Sequence, residues 1–225
     1  MIEHGMDPNK FYYMPNGIDI EQWEDATENI PEEHDRVIRD LRSKGHFLIG
    51  YAGTHGIANA MEFLIEAAVD MKDDPVSFVL VGKGPERDQL IKMAKQKGIE
   101  NIHFLPVINK KAIPDFLGKM DCNYIGWRRS PLYQFGVSPN KLLDYLMSGK
   151  PVIHGIEAGN DLVEEAGCGI SIKPEDPKAI VQAVREMLKK SIDEREQMGK
   201  SGKEFVMKTH DYRILSQRFI DVLSK

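Results

Sequence analysis

Phe47-Leu48-Ile49-Gly50-Tyr51-Ala52-Gly53-Thr54-His55-Gly56 is a short apolar run closed by a glycine turn. Met61-Glu62-Phe63-Leu64-Ile65-Glu66-Ala67-Ala68 follows it with apolar residues at helical spacing. An unbroken apolar run suits a strand buried on both faces, and a 3.6-residue beat suits a helix packed against it. The same unit then repeats. Residues 76–81 form a second strand ended by Gly82-Lys83-Gly84-Pro85, with Pro85 placed to open a helix over 86–97 that Gly98 stops.

The alternation continues through strand 102–106, helix 110–119, strand 121–125, helix 140–148, strand 151–154, a short helix near 160–166, strand 169–172 and helix 176–190. Strand–helix alternation means a parallel sheet with helices on both faces. The expectation is a Rossmann-like, doubly wound α/β domain of about six parallel strands. Two amphipathic helices, 192–208 and 211–224, have no strand after them. In the second, Tyr212, Leu215, Phe219 and Val222 form one apolar stripe, expected to be partly exposed.

Upstream, residues 5–10 read as a helix end and turn, 11–15 as a short strand and 16–19 as a tight turn. An acidic stretch, 21–36, reads as a linker before a helix at 35–44. The chain is expected to be one unit over 1–225, with an opening strand and linker in 1–46, the core in 47–190 and added helices in 191–225. Its abrupt opening suggests a preceding N-terminal domain.

Composition narrows the function. With 225 residues, 41% hydrophobic and 29% charged, the chain is long enough for a real core and ordinary for a globular protein. A net charge of −5, from 30 basic and 35 acidic residues, argues against nucleic acid as a partner. Cys122 and Cys168 fit no zinc or redox spacing and read as buried thiols of a cytoplasmic protein. No apolar run reaches the roughly 20 residues of a membrane-spanning helix. His55, His103, His154 and His210 show no metal-binding spacing, so no metal is expected.

In a doubly wound sheet, ligands bind at the carboxyl ends of the strands. Gly53-Thr54-His55-Gly56 there is either an anion-binding turn or a plain tight turn. It is not a GxGxxG motif, and no acidic residue closes the second strand, which disfavours a dinucleotide site. Lys83 is either a phosphate contact or a solvated side chain, and Val107 begins the loop after the third strand.

The richest stretch is Phe135-Gly136-Val137-Ser138-Pro139-Asn140-Lys141-Leu142-Leu143-Asp144-Tyr145, followed by Ser148-Gly149-Lys150-Pro151-Val152-Ile153. Ser138 and Pro139 read as the N-cap and first residue of a helix whose amides face a ligand. Lys141 and Asp144, three residues apart, share a face. A lysine for phosphate and a carboxylate for hydroxyl groups together suit a nucleoside diphosphate. A surface Lys–Asp pair is the plainer alternative. Trp127, Arg128 and Arg129 read either as a phosphate clamp or as a stacked loop.

Pro15-Asn16-Gly17-Ile18-Asp19, Gly82-Lys83-Gly84-Pro85 and the block 138–153, in this order and at these separations, resemble the C-terminal, donor-binding domain of bacterial retaining GT-B glycosyltransferases of group 1. The likeness is to the branch that builds O-antigen and capsule polysaccharides, and it covers essentially the whole chain. It implies a nucleotide-sugar substrate, usually UDP-linked, with no cofactor and no active-site metal. It also implies a separate N-terminal domain, a polysaccharide or lipid-linked acceptor, and a cytoplasmic enzyme peripheral to the inner membrane. By position, Asp144 matches the second acidic residue of the family's Glu-x7-Glu motif, which holds the ribose. Gly53 matches the glycine after the first strand, and 137–141 the diphosphate-binding helix start. Gly136 stands where the family has glutamate, and the region of His55 and Asn59 lacks the family's fixed positive charges. Lys141 and Arg128 or Arg129 are the substitutes.

The resulting candidate donor-binding set is Gly53, Thr54, His55, Gly82, Lys83, Val107, Arg128, Val137, Ser138, Asn140, Lys141 and Asp144, with no catalytic residue assigned. A sugar-nucleotide epimerase half and a non-catalytic phosphoryl-ligand module are the alternatives.

Overall fold

The computed structural model describes residues 5, 7, 10–25 and 28–224. Six strands form one sheet: β1 (Phe47–Ala52), β2 (Val76–Val81), β3 (Ile102–Leu105), β4 (Cys122–Gly126), β5 (Val152–Gly155) and β6 (Gly169–Ile172). Every pairing is parallel, and the order is β3-β2-β1-β4-β5-β6. The expected doubly wound fold is the fold found. All residues of β1 and β2 are buried, which explains why their sequences are apolar without alternation.

The helices are α1 (Ile20–Glu24), α2 (Glu32–Ser43), α3 (Met61–Asp70), α4 (Arg87–Gln96), α5 (Ile113–Gly118), α6 (Asn140–Met147), α7 (Leu162–Ala166), α8 (Pro177–Lys189), α9 (Ile192–Thr209) and α10 (Tyr212–Leu223). Buried side chains from α3, α4 and α8 pack on one face of the sheet, and those from α2, α5, α6, α7 and α9 on the other.

Local chemistry sets the helix ends. Asp176 caps α8 by accepting from the Ala179 amide, ahead of Pro177 in the first turn. That helix buries Ile180, Val181, Val184 and Met187, each worth about 1.5–3 kcal/mol as an upper estimate. Ser191 and Glu194 form a reciprocal capping box on α9. Further along α9, Gly199 lies against the Gly149 carbonyl, where a Cβ would approach to 1.8 Å. Only glycine permits that contact.

Three sequence expectations are corrected upstream of the sheet. Residues 11–15 form no strand, and Phe11, Tyr12 and Tyr13 are exposed. Their β propensity has no sheet edge to act on. Residues 16–19 form no tight turn. Instead, Ile18 makes an isolated parallel bridge to Asp211 at the start of α10, and Asp19 caps α1 through the Gln22 amide. The acidic stretch is partly helical, since α2 begins at Glu32, three residues before the expected start. The helix end expected at residues 5–10 falls largely outside the described residues. On α10, only Leu215 of the stripe is fully buried, while Tyr212 and Phe219 are exposed.

Candidate nucleotide site

The strand order reverses between β1 and its neighbour β4, so the crevice beyond their carboxyl ends is the topological switch point. A cavity of about 250 Å³ lies there, lined by Gly53 and Thr54 after β1, Gly82 and Lys83 after β2, Val107 and Ile108 after β3, and Lys141, Asp144 and Tyr145 on α6. Asp144 also borders an adjoining groove of about 760 Å³, with Asn140, Lys110, Lys111, Trp23 and Tyr212.

Thus Gly53, Thr54, Gly82, Lys83, Val107, Asn140, Lys141 and Asp144 converge. A second large hollow, between α3 and α8, offers no comparable set, because its Arg185 is already tied to Asp74.

Backbone packing accounts for the glycines. A Cβ on Gly82, whose φ is +149°, would lie 1.9 Å from the Gly53 carbonyl oxygen, and one on Gly84 would lie 2.3 Å from that of His55. The turns after β1 and β2 therefore stack backbone on backbone. A Cβ on Gly53 would meet the end of the Lys141 side chain at 2.7–2.8 Å.

Lys141 reaches under that loop. Its Nζ donates to Tyr51 Oη and to Asn59 Oδ1, each at 2.9 Å, and lies 4.6 Å from the centre of the Tyr51 ring. Among the described residues no carboxylate pairs with it, and burial pushes its pKa down to about 8. Asp144 likewise has no side-chain partner among them. Burial raises its pKa to about 6, against the opposing pull of Lys110. An unpaired cation and an unpaired carboxylate on one helix face are costly without a ligand and useful with one.

Four candidates lie differently from the expectation. His55 is fully buried, with its ring centre 5.7 Å from that of Tyr51 and 6.0 Å from that of Phe104. Burial first, then Arg87 and Lys141, lower its pKa to about 4, so the ring is neutral and does not line the cavity. Its backbone instead bonds to the Lys83 carbonyl and the Glu86 amide. Arg128 is turned away from the cavity, paired with Glu62 and with Glu175 at 3.6 Å, and stacked on Phe63. The Arg129 guanidinium lies 3.7 Å from Glu157, and its backbone amide donates to Glu175.

Ser138 is not the N-cap of α6. Pro139 holds that position without a side-chain bond, while Ser138 Oγ accepts from the Asn16 amide and its carbonyl from Asn16 Nδ2. The Val137 amide donates to Asn160 Oδ1, and its carbonyl accepts from Asn160 Nδ2. Residues 137 and 138 therefore brace the loop. The first-turn amides of α6 receive no side-chain cap from Pro139.

Sequence reasoning missed Tyr51 and Asn59 as partners of Lys141, and Asn160 as the loop's brace. A tyrosine inside an apolar strand was the only available signal. It also missed a chain behind the loop. Trp127 Nε1 donates to His154 Nε2 at 3.0 Å, so Nδ1 carries the ring proton and donates to Asp161 at 2.8 Å.

A parallel 3-2-1-4-5-6 sheet with glycine turns, a lysine and a carboxylate at its switch point defines a Rossmann-like, doubly wound α/β domain. The sequence matches the family Glycosyl transferases group 1 over residues 35–205, and the chain belongs to that family. It is 28% identical over 196 residues to WcaI of Escherichia coli (strain K12), a glycosyl transferase provisionally assigned to colanic acid biosynthesis. That match takes in 83% of this chain and 46% of WcaI. The chain spans about half the length of the curated relative it matches.

Among solved structures, Anabaena HepE in complex with UDP superposes with a TM-score of 0.78 at 19% identity, covering 99% of this chain and 60% of HepE. Sucrose-phosphate synthase from Thermosynechococcus elongatus gives 0.71 at 16%, covering 94% and 51%. At such identities the likeness establishes the GT-B type of fold. Among the described residues no helix is long and apolar enough to cross a membrane.

Proposed function

We propose that the chain is the donor-binding half of a glycosyltransferase that moves a sugar from a nucleoside diphosphate, UDP above all, to a polysaccharide or lipid-linked acceptor. The observation that carries this reading is Lys141. A partly buried ammonium, with no carboxylate partner among the described residues, lies under the Gly53 turn, beside a cavity and one turn from Asp144. Diphosphate fits between Lys141 and the α6 amides, with the ribose hydroxyls at Asp144. Membership of the group 1 family and the UDP held by HepE support this choice of ligand.

In this role the ammonium and the amides stabilise charge developing on the leaving diphosphate, a preorganised electrostatic effect needing no metal or cofactor. The acceptor site and the groups that act on the sugar belong to an N-terminal domain, and the whole enzyme works at the cytoplasmic side of the inner membrane. The half-exposed stripe of α10 is a face such a domain would cover.

Calorimetry with UDP tests the reading. Lys141→Ala is expected to weaken binding by about 1.5–3 kcal/mol, the range of a charge-assisted hydrogen bond. Equal affinity in the two proteins removes Lys141 from the site and the reading with it.

A further inference from the structure

Lys141 and three neighbouring groups close into a ring. Its ammonium donates to Tyr51 Oη and Asn59 Oδ1, both at 2.9 Å. The same two side chains donate to one acceptor, the Thr54 carbonyl, from Tyr51 Oη at 2.6 Å and from Asn59 Nδ2 at 2.9 Å. Each partner therefore has its proton committed to Thr54 and an oxygen turned to the lysine. Among the described residues two of the three ammonium N–H bonds are used, by neutral acceptors, and one remains.

We propose that Tyr51 and Asn59 are positioning residues that hold the Lys141 ammonium beneath the Gly53 turn with its third N–H offered to the donor's phosphate. The proposal rests on the donor reading above. A free lysine side chain is rotationally disordered, and fixing it before the ligand arrives removes that cost from binding. The ring also ties the lysine to the Thr54 carbonyl, so the turn and the cation keep a constant separation.

Several titratable or charged groups lie around Lys141 and its cavity. Tyr51 of β1 accepts from the ammonium, and His55 in the turn feels its charge. Lys83 from the β2 loop and Asp144 and Tyr145 of α6 line the same cavity, while Lys110 lines the adjoining groove and acts on Asp144. His55 stays neutral, with a pKa near 4, and burial holds Tyr51 well above its ordinary value. Asp144 finishes its titration below Lys141, whose value is about 8. The lysine can therefore be followed by itself on the alkaline side.

The experiment is an NMR titration of the Lys141 side chain in the ligand-free 225-residue chain, paired with calorimetry using UDP. Tyr51→Phe removes an acceptor and should move the lysine midpoint down. Asn59→Asp places a carboxylate beside it and should move the midpoint up. Tyr51→Phe and Asn59→Ala should each weaken UDP about tenfold, the order expected for one hydrogen bond. Neither should weaken it further in a Lys141→Ala background. Near-wild-type melting temperatures establish that the variants fold, and Asn59, being partly exposed, tolerates replacement.

Unchanged midpoints in both Tyr51→Phe and Asn59→Asp would overturn the positioning role, as would equal losses with and without Lys141. Shifted midpoints with wild-type UDP affinity in Lys141→Ala would instead overturn the donor reading.

Discussion

Asp144→Asn separates what the site needs from what the fold prefers. The carboxyl is moved from 3.8 to about 6, chiefly by burial. Holding it ionised in the folded chain therefore costs about 3 kcal/mol, at 1.36 kcal/mol per tenfold. The folded state binds the proton more tightly than the unfolded state, so wild-type stability falls as pH rises from 3.8 through about 6 and stays low above it.

An asparagine, standing in for the neutral acid, does not carry that cost. The variant should exceed wild type by about 3 kcal/mol near pH 7.5 but by only about half a kcal/mol near pH 4. Urea unfolding at the two pH values measures this. UDP affinity should move the other way, falling in Asp144→Asn while inorganic pyrophosphate affinity holds, because the carboxylate serves hydroxyl groups and not phosphate. In the wild type, UDP binding should strengthen as pH rises through about 6. Equal stability of the two proteins near pH 7.5 would refute the assigned burial cost. Parallel loss of UDP and pyrophosphate would refute the ribose assignment.

Arg128→Ala should leave UDP affinity unchanged, because its guanidinium is committed to Glu62, Glu175 and the Phe63 ring. Unfolding should show a loss of about 1 kcal/mol for a partly exposed pair, whereas a clear loss of UDP binding would return Arg128 to the site. Gly199→Ala should destabilise by about 1–3 kcal/mol, through collision with the Gly149 carbonyl, and leave the affinity of the folded protein intact. Gly82→Ala should lower both stability and affinity, since its Cβ collides with Gly53, and calorimetry beside thermal melts distinguishes the two glycines.

The layout of the core was legible in the sequence because its signals are local. Continuous apolar runs mark strands buried on both sides, and glycine turns mark their ends, so six strands and their connecting helices follow from residues 47–190 alone. Asp144 and Lys141 were legible for the same reason, being three residues apart on one helix. Residues 11–19 were not, because a strand exists only where an edge accepts it, and this segment makes an isolated bridge from Ile18 to Asp211 and bonds from Asn16 to Ser138 in place of a sheet ladder.

What the tertiary structure decided is where charges point. Arg128 and Lys141 are both cations of the same loop-and-helix region. Yet Glu62 and Glu175, distant in sequence, claim the arginine, while Tyr51 and Asn59 hold the lysine without neutralising it. Partners 66, 47, 90 and 82 residues away cannot be read from spacing. A charged side chain's role depends on which neighbour shares its burial.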